Sequence, residues 1–235
     1  MNVYHITFAP AVKVAYVYFW GCNFGCKGCI RREELGDIHL SQQVADFSGF
    51  LKFEEVVGIL EDFKPEGVTF LGGEPTIDPE FPKLAKVLEK RLNTHNILLT
   101  NGYLFPPLEG VDEIQVSIKA ITGTLHRDFT GKPNQEVLRN FRQLHRAGVA
   151  LRAESIFIPH YIDVEEIEEI ARFISAVDSN IPYRIDGYIP VAGNPWRRPT
   201  PEEVEEAVEV ARKYLHHVTC LKGDEGLRYE VECIV

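Results

Sequence analysis

Three cysteines fall within eight positions of "FWGCNFGCKGCIRR" (19–32): Cys22, Cys26 and Cys29, spaced Cys-x3-Cys-x2-Cys. Clustered thiolates are soft ligands, suited to zinc or to iron–sulfur clusters. A structural zinc site takes four ligands. The fourth would have to be His39, Cys220 or Cys233, and none has the usual paired spacing. A conventional four-cysteine cluster is also one thiolate short. A four-iron cluster held by three thiolates leaves one iron open, as a catalytic metal site keeps a position for what it acts on. Gly21, Gly25 and Gly28 let the chain wrap closely around such a group.

Further polar residues recur at the ends of strand-like segments. "FLGGEPT" (70–76) places Gly72, Gly73, Glu74 and Pro75 in a turn, and "LLTNG" (98–102) brings Asn101. In "EIQVSIK" (113–119), alternation puts Gln115, Ser117 and Lys119 on one face. Arg152 shares a face with Glu154, and Arg184 with Asp186. Central parallel strands are normally apolar on both sides. Charges there are costly unless paired or solvated. An internal ion-pair network is one account of them. A polar active cavity is the one adopted, because these residues lie late in three consecutive strands.

The elements that must position these groups alternate along the chain. Strand candidates are 14–20, 67–71, 96–100, 113–119, 150–158 and 183–189. Between them run apolar stripes of helical period, such as Phe81, Leu84, Ala85, Leu88 and Leu92, and Ile167, Ile170, Ala171 and Ile174. Asp78-Pro79 and Thr200-Pro201-Glu202-Glu203 read as helix starts, the second as a capping box. Strand–helix alternation gives a parallel sheet with helices outside. Six repeats are too few for a closed eight-stranded barrel. The fold expected is therefore α/β: a partial (β/α)6 barrel, open and TIM-like, in a single domain over 1–235. Its core is 14–190, followed by a C-terminal helix and tail at 200–235. A flat doubly wound sheet is the alternative. The cysteines directly follow the first strand candidate, on the face where such folds hold their active sites. The irregular 31–50 segment beside them reads as a loop or lid.

Composition narrows the function classes. The chain has 235 residues, 45% of them hydrophobic, enough for a full core. The formal net charge of −10 argues against nonspecific nucleic-acid binding, which needs a basic face; Arg31–Arg32 beside the cysteines is the obvious candidate for a local basic patch. No stretch reaches the roughly 18 apolar residues of a membrane span. A cytoplasmic location is expected, where clustered cysteines are more often metal ligands than structural disulfides. Cys220 and Cys233 read as buried free thiols, and His216–His217 as helix-end residues.

The cysteine spacing after a first strand resembles the radical S-adenosylmethionine (radical SAM) superfamily. That resemblance implies a [4Fe-4S] cluster on Cys22, Cys26 and Cys29. It implies that the open iron binds the methionyl amino and carboxylate groups of SAM. Reductive cleavage of the sulfonium then gives a 5′-deoxyadenosyl radical. "GGEP" is similar to the family element that hydrogen-bonds the SAM amino group, and Asn101 ends the third strand much as the family's Thr-Asn-Gly does. On this reading Ser117 lies near SAM, and Lys119 and Arg152 hold its carboxylate, with Glu154 and Asp186 left for ribose hydroxyls or substrate. "HRDFTGKPNQEVLRNF" (126–141) and "IFIPHYIDVEEIEEIARFI" (156–174) resemble segments of glycyl-radical-enzyme activating enzymes. That branch implies a glycyl-radical enzyme as partner and a flavodoxin or ferredoxin as electron donor. A small-molecule or peptide substrate is the alternative among enzymes. An iron–sulfur electron carrier or a zinc-binding interaction module is the alternative outside them. Three positions depart from the pattern. Gly28 stands where the family usually has an aromatic residue beside adenine, Ser117 where activating enzymes have Asp, and Ile189 where they have a strand-end His. No individual catalytic residue is assigned.

Overall fold

In the structure, a computed structural model, residues 1–32, 49–223 and 229–235 are described. Nine strands are found among them: β1 (Val3–Ala9), β2 (Val14–Phe19), β3 (Gly67–Gly72), β4 (His95–Thr100), β5 (Glu113–Ser117), β6 (Ala150–Phe157), β7 (Tyr183–Gly187), β8 (Val218–Leu221) and β9 (Glu232–Cys233). Six α-helices accompany them: α1 (Phe53–Phe63), α2 (Phe81–Leu92), α3 (Gly123–Thr130), α4 (Gln135–Arg146), α5 (Val164–Ser175) and α6 (Pro201–Arg212). They form one sheet in the order β8-β7-β6-β5-β4-β3-β2-β1-β9. From β2 to β8 every neighbour is parallel; β1 runs antiparallel to β2 and to β9. The sheet is not closed, since β8 and β9 end it without pairing.

All six expected strands are present, in an open α/β barrel. Three strands had been missed. In β1 every residue is buried, including the polar His5 and Thr7, so it shows no inside–outside alternation. β8 and β9 are four and two residues long, too short to carry a period, and they convert the expected tail into both edges of the sheet. Between β4 and β5 no helix forms. That crossover is a turn whose Gly110 packs on α2: a Cβ there would lie 2.7 Å from Lys86 N. Asn96 ties it down by donating to Ala85 O and Gly110 O at 3.0 and 2.8 Å.

The helical stripes bury as their spacing demands: Phe81, Leu84, Ala85 and Leu88 of α2 and Ile167, Ile170, Ala171 and Ile174 of α5 all lie inside. The Thr200 capping box forms, with Glu203 N–H donating to Thr200 Oγ1 and Thr200 N–H to Glu203 at 2.8 Å. Asp78 is a correction. α2 begins later, at Phe81 with Pro82 in its first turn. Asp78 instead accepts from Glu80 N–H at 2.8 Å and Asn2 N–H at 2.5 Å, pinning the N-terminus beneath the turn. Cys233 is another, exposed on edge strand β9 rather than buried, while Cys220 on β8 is partly buried. His216 and His217 lie beyond α6, not in its last turn. Most of the expected 31–50 lid, with His39, falls outside the described residues. Among the described residues no helix is long and apolar enough to cross a membrane.

Candidate active site

The cysteine loop leaves β2 and is held by its neighbours through main-chain bonds. Trp20 N–H donates to Asn2 O at 2.7 Å. The turn after β3 docks on the loop's start: Gly73 N–H donates to Phe19 O at 2.7 Å and Glu74 N–H to Gly21 O at 2.8 Å. Only glycine fits that approach. A Cβ on Gly73 would stand 2.0 Å from Gly21 O, and Gly72 adopts φ +103° against the Phe19 backbone. Further along, Gly25 N–H donates to Thr130 O at 2.8 Å and Lys27 N–H to Phe129 O at 2.9 Å. The C-terminal carbonyls of α3, which have no partner within a helix, thus carry the loop. Gly131 (φ +78°) ends α3 there. His126 is buried inside α3 rather than at a segment start. Its Nδ1–H donates to Lys132 O at 2.8 Å, its ring meets Phe24 at 5.5 Å, and its buried Nε2 has no protein partner.

Cys22, Cys26 and Cys29 line one cavity of about 290 Å3 at the C-terminal ends of β2 to β6. Gly72, Gly73, Glu74, Asn101, Ser117 and Lys119 line it too, as does Glu154. Sequence reasoning also missed members of this wall: Phe24, Thr100, Phe129 and Ile156. Phe24 and Phe129 read as ordinary core residues, and only their place beside the cysteine loop distinguishes them.

Two predicted residues are not brought there. Pro75 is buried at the start of the 3-10 turn Pro75–Ile77, where its fixed φ shapes the turn. Arg152 sits two residues before Glu154 on β6, level with Gln115. It is half exposed and pairs with Glu113, the first residue of β5, at 2.6 Å. The alternation that put Arg152 on the polar face was right; its height along the strand keeps it away from the thiols.

Glu74 is buried and heavily bonded. One carboxylate oxygen accepts from Thr76 N–H (3.2 Å), Thr76 Oγ1 (2.6 Å) and Thr100 Oγ1 (2.7 Å); the other accepts from Asn101 N–H (2.7 Å). Burial pushes its pKa up, and these four donors oppose the rise. Glu74 thereby locks the end of β3 to the end of β4. With two lone pairs on each oxygen, capacity is left for a further donor on the Asn101 side.

An ionic network flanks the cavity and reaches it through Glu154, Ser117 and Lys119. Glu154 accepts from Arg184 at 2.8 Å, and Arg184 also holds Asp186 through two bonds of 2.8 and 2.9 Å. Gln115 donates to Glu154, and Lys119 to Ser117 Oγ. Burial works against ionised Glu154, but Arg184, Lys119 and its hydrogen bonds outweigh it, so its pKa falls. Asp186 goes the other way. Burial raises it to about 6, the Glu154 charge adds to the rise, and Arg184 opposes it. The internal ion-pair network, the account not adopted from the sequence, is therefore present; Glu154 also lines the cavity, whereas Asp186 and Arg184 do not.

The donor set fits an open cluster. Among the described residues no three His, Cys, Asp or Glu side chains, the three thiols included, stand close enough together to hold a single metal ion, as a closed zinc site requires. Neither Cys220 nor Cys233 lines the cavity. The Cys22 sulfur accepts from Phe24 N–H at 3.4 Å and Asn101 Nδ2 at 3.6 Å. Burial pushes the Cys22 thiol up, and these donors favour its thiolate. Hydrogen bonds to sulfur are a lever on cluster potential.

Comparison with known proteins agrees. A profile described as the Radical SAM superfamily matches residues 16–174. A Methanocaldococcus jannaschii protein provisionally named a glycyl-radical enzyme activating enzyme is 30% identical over 94% of this chain and 84% of its own length. The pyruvate formate-lyase-activating enzyme of Clostridium pasteurianum is 26% identical over 72% of this chain and 71% of its own. The fold is shared with a radical SAM methyltransferase from Sphaerobacter thermophilus: TM-score 0.68 and 18% identity, covering 92% of this chain and 68% of that one. Thiols, turn and profile converge on one assignment: this chain belongs to the radical SAM superfamily, whose members use a [4Fe-4S] cluster and S-adenosylmethionine.

Proposed function

We propose that this protein is an activating enzyme, generating a radical on a backbone glycine of a partner protein. The observation that carries the reading is the open sheet. Its edge strands β8 and β9 do not pair, and a loop of another protein needs such a lateral gap to reach a barrel interior. The activating-enzyme relatives, one matched over 94% of this chain, support it.

On this reading Cys22, Cys26 and Cys29 hold three irons and leave the fourth open. When bound, the cluster and SAM would together supply, for one electron, a 5′-deoxyadenosyl radical and methionine, and the glycine Cα of the partner would be the hydrogen-atom source. The protein's own residues position and shield. The Lys119 ammonium meets a carboxylate. The Gly72–Gly73 main chain and the spare capacity of Glu74 meet an ammonium. Ser117 and Asn101 add neutral donors and acceptors, and Phe24, Phe129 and Ile156 keep water from the walls. Arg152 is left out, being occupied elsewhere. The same reading calls for a one-electron donor such as flavodoxin or ferredoxin and a cytoplasmic setting.

The test mixes reduced protein, SAM and a candidate glycyl-radical enzyme without oxygen. The expected result is a glycyl doublet in the electron paramagnetic resonance spectrum. No doublet with any candidate, together with fast 5′-deoxyadenosine formation on a small metabolite, transfers the assignment to a small-molecule enzyme.

A further inference from the structure

Gly28 precedes the third cysteine and has no side chain to offer the cavity it lines. The space its side chain would enter is filled from elsewhere. A Cβ on residue 28 would stand 2.9 Å from the Tyr188 ring, 3.4 Å from Phe129 and 3.5 Å from Trp196. These rings come from the segment after β7 and from α3, and they form one cluster. Tyr188 meets Trp196 edge-on at 5.8 Å, and Phe129 lies 6.0 Å from Trp196. Tyr161 packs on Trp196 at 4.4 Å.

The cluster is fixed in place. Tyr188 is fully buried, and its hydroxyl accepts from Val191 N–H at 3.0 Å. The segment after β7 is latched to the cysteine loop by Asn194, which donates to Lys27 O at 2.8 Å. Phe129 N–H and C=O lie in the helix end that carries the loop, and Lys27 N–H donates to Phe129 O. Of the three rings around Gly28, only Phe129 lines the cavity, and it does so with 2% of its surface exposed. Only a small part of the ring therefore reaches the cavity.

The geometry points to Phe129, backed by Tyr188 and Trp196, as the aromatic wall for the adenine of SAM, in the role that Gly28 cannot fill. The aromatic group here comes from α3 rather than from the cysteine loop, and glycine at 28 suits it: a Cβ there would press on the buried Tyr188 ring at 2.9 Å. Contact between an aromatic ring and a flat purine is favourable in either an edge-on or an offset-stacked arrangement of the ring quadrupoles. The inference rests on SAM occupying this cavity.

The experiment measures SAM affinity calorimetrically on anaerobically reconstituted protein, with methionine, which has no purine, as the second probe. Phe129→Ala is expected to weaken SAM roughly three- to tenfold, the range of a lost aromatic pair, and to leave methionine binding and iron content unchanged. Phe129→Tyr is expected to retain the wild-type SAM affinity. Should Phe129→Ala lose iron, Phe129→Leu makes the same comparison with the apolar bulk kept. Unchanged SAM affinity at full iron content overturns the assignment, and so does equal weakening of SAM and methionine. A wild-type protein that holds its iron but binds no SAM overturns the reading of the cavity itself, and this assignment with it.

Discussion

The two halves of the sheet contribute to one cavity by different means. From β2 to β4, position is set by the main chain. Gly73 N–H sits on Phe19 O, Glu74 N–H on Gly21 O, and a buried carboxylate ties β3 to β4 through neutral donors. From β5 to β7, position is set by ionised side chains. Glu154 and Asp186 share the guanidinium of Arg184, and Lys119 stands beside Ser117. A backbone carbonyl cannot retreat from an added methyl group, whereas a side-chain charge can be weakened by degrees. Substitutions in the first half should act all-or-none, and those in the second should be graded and sensitive to pH.

The sharpest contrast is at the cysteines. Reconstituted protein should carry about four irons per chain. Cys22→Ala, Cys26→Ala or Cys29→Ala should abolish the brown chromophore. Cys220→Ala and Cys233→Ala, on the sheet edges, should keep it. Equal loss in all five would dissolve the distinction between the loop and the rest. Gly73→Ala comes next. Its methyl would have to stand 2.0 Å from Gly21 O, so a cost of at least about 3 kcal/mol is expected, the upper range for overpacking. Denaturant unfolding measures that cost, and iron retention shows whether the loop survives. A near-neutral Gly73→Ala would mean that the turn is not rigidly docked.

Lys119→Met should be graded. Losing one charge-assisted bond to a carboxylate costs roughly 2 kcal/mol, about thirtyfold in SAM affinity, with the chromophore intact. Unchanged affinity would remove Lys119 from the site. Asp186→Asn tests the ionic network through pH. The folded-state pKa of Asp186 is raised from 3.8 to about 6. Its contribution to stability is therefore present below pH 4 and lost as pH rises through about 6. The variant should lack this decline, by an amount on the order of 1–3 kcal/mol, visible in denaturation midpoints at pH 4.5 and 7. Glu154, with its lowered pKa, has the opposite sign: its contribution is lost as pH falls below the ordinary carboxylate range. Parallel pH profiles for wild type and Asp186→Asn would contradict the burial-driven rise at Asp186. Arg152→Ala should have the smallest effect. Its pair with Glu113 is half exposed, so less than about 1 kcal/mol of stability is at stake, and SAM affinity should not change. A large loss of affinity would return Arg152 to the site.

The same division governs what could be read in advance. The first half was legible because its chemistry is local. Three thiols within eight positions, and glycines beside a carboxylate at a strand end, constrain the backbone so tightly that few other arrangements use them. In the second half, alternation identified the polar face correctly, yet Arg152 and Glu154 on that face have different fates. The period of a strand fixes a side and not a height, and height depends on the register against β5. The edge strands β8 and β9 were invisible for another reason: they exist only because a sheet edge was there to receive them.

By itself, then, the sequence determined the strand–helix alternation, the open α/β barrel, the thiol loop and the glycine–carboxylate turn, all consequences of period, spacing and backbone sterics. The tertiary structure decided what depends on distant segments meeting. It made Glu74 a clamp between two strands, assigned Arg184 rather than Arg152 to the partly buried Glu154 and Asp186, and set the loop on the end of α3. It also filled the space beside Gly28 with rings from more than 100 residues away in a chain of 235. Such contacts leave no local pattern, because a phenylalanine that packs a core and one that walls a cavity bury the same surface and differ only in what lies on the other side.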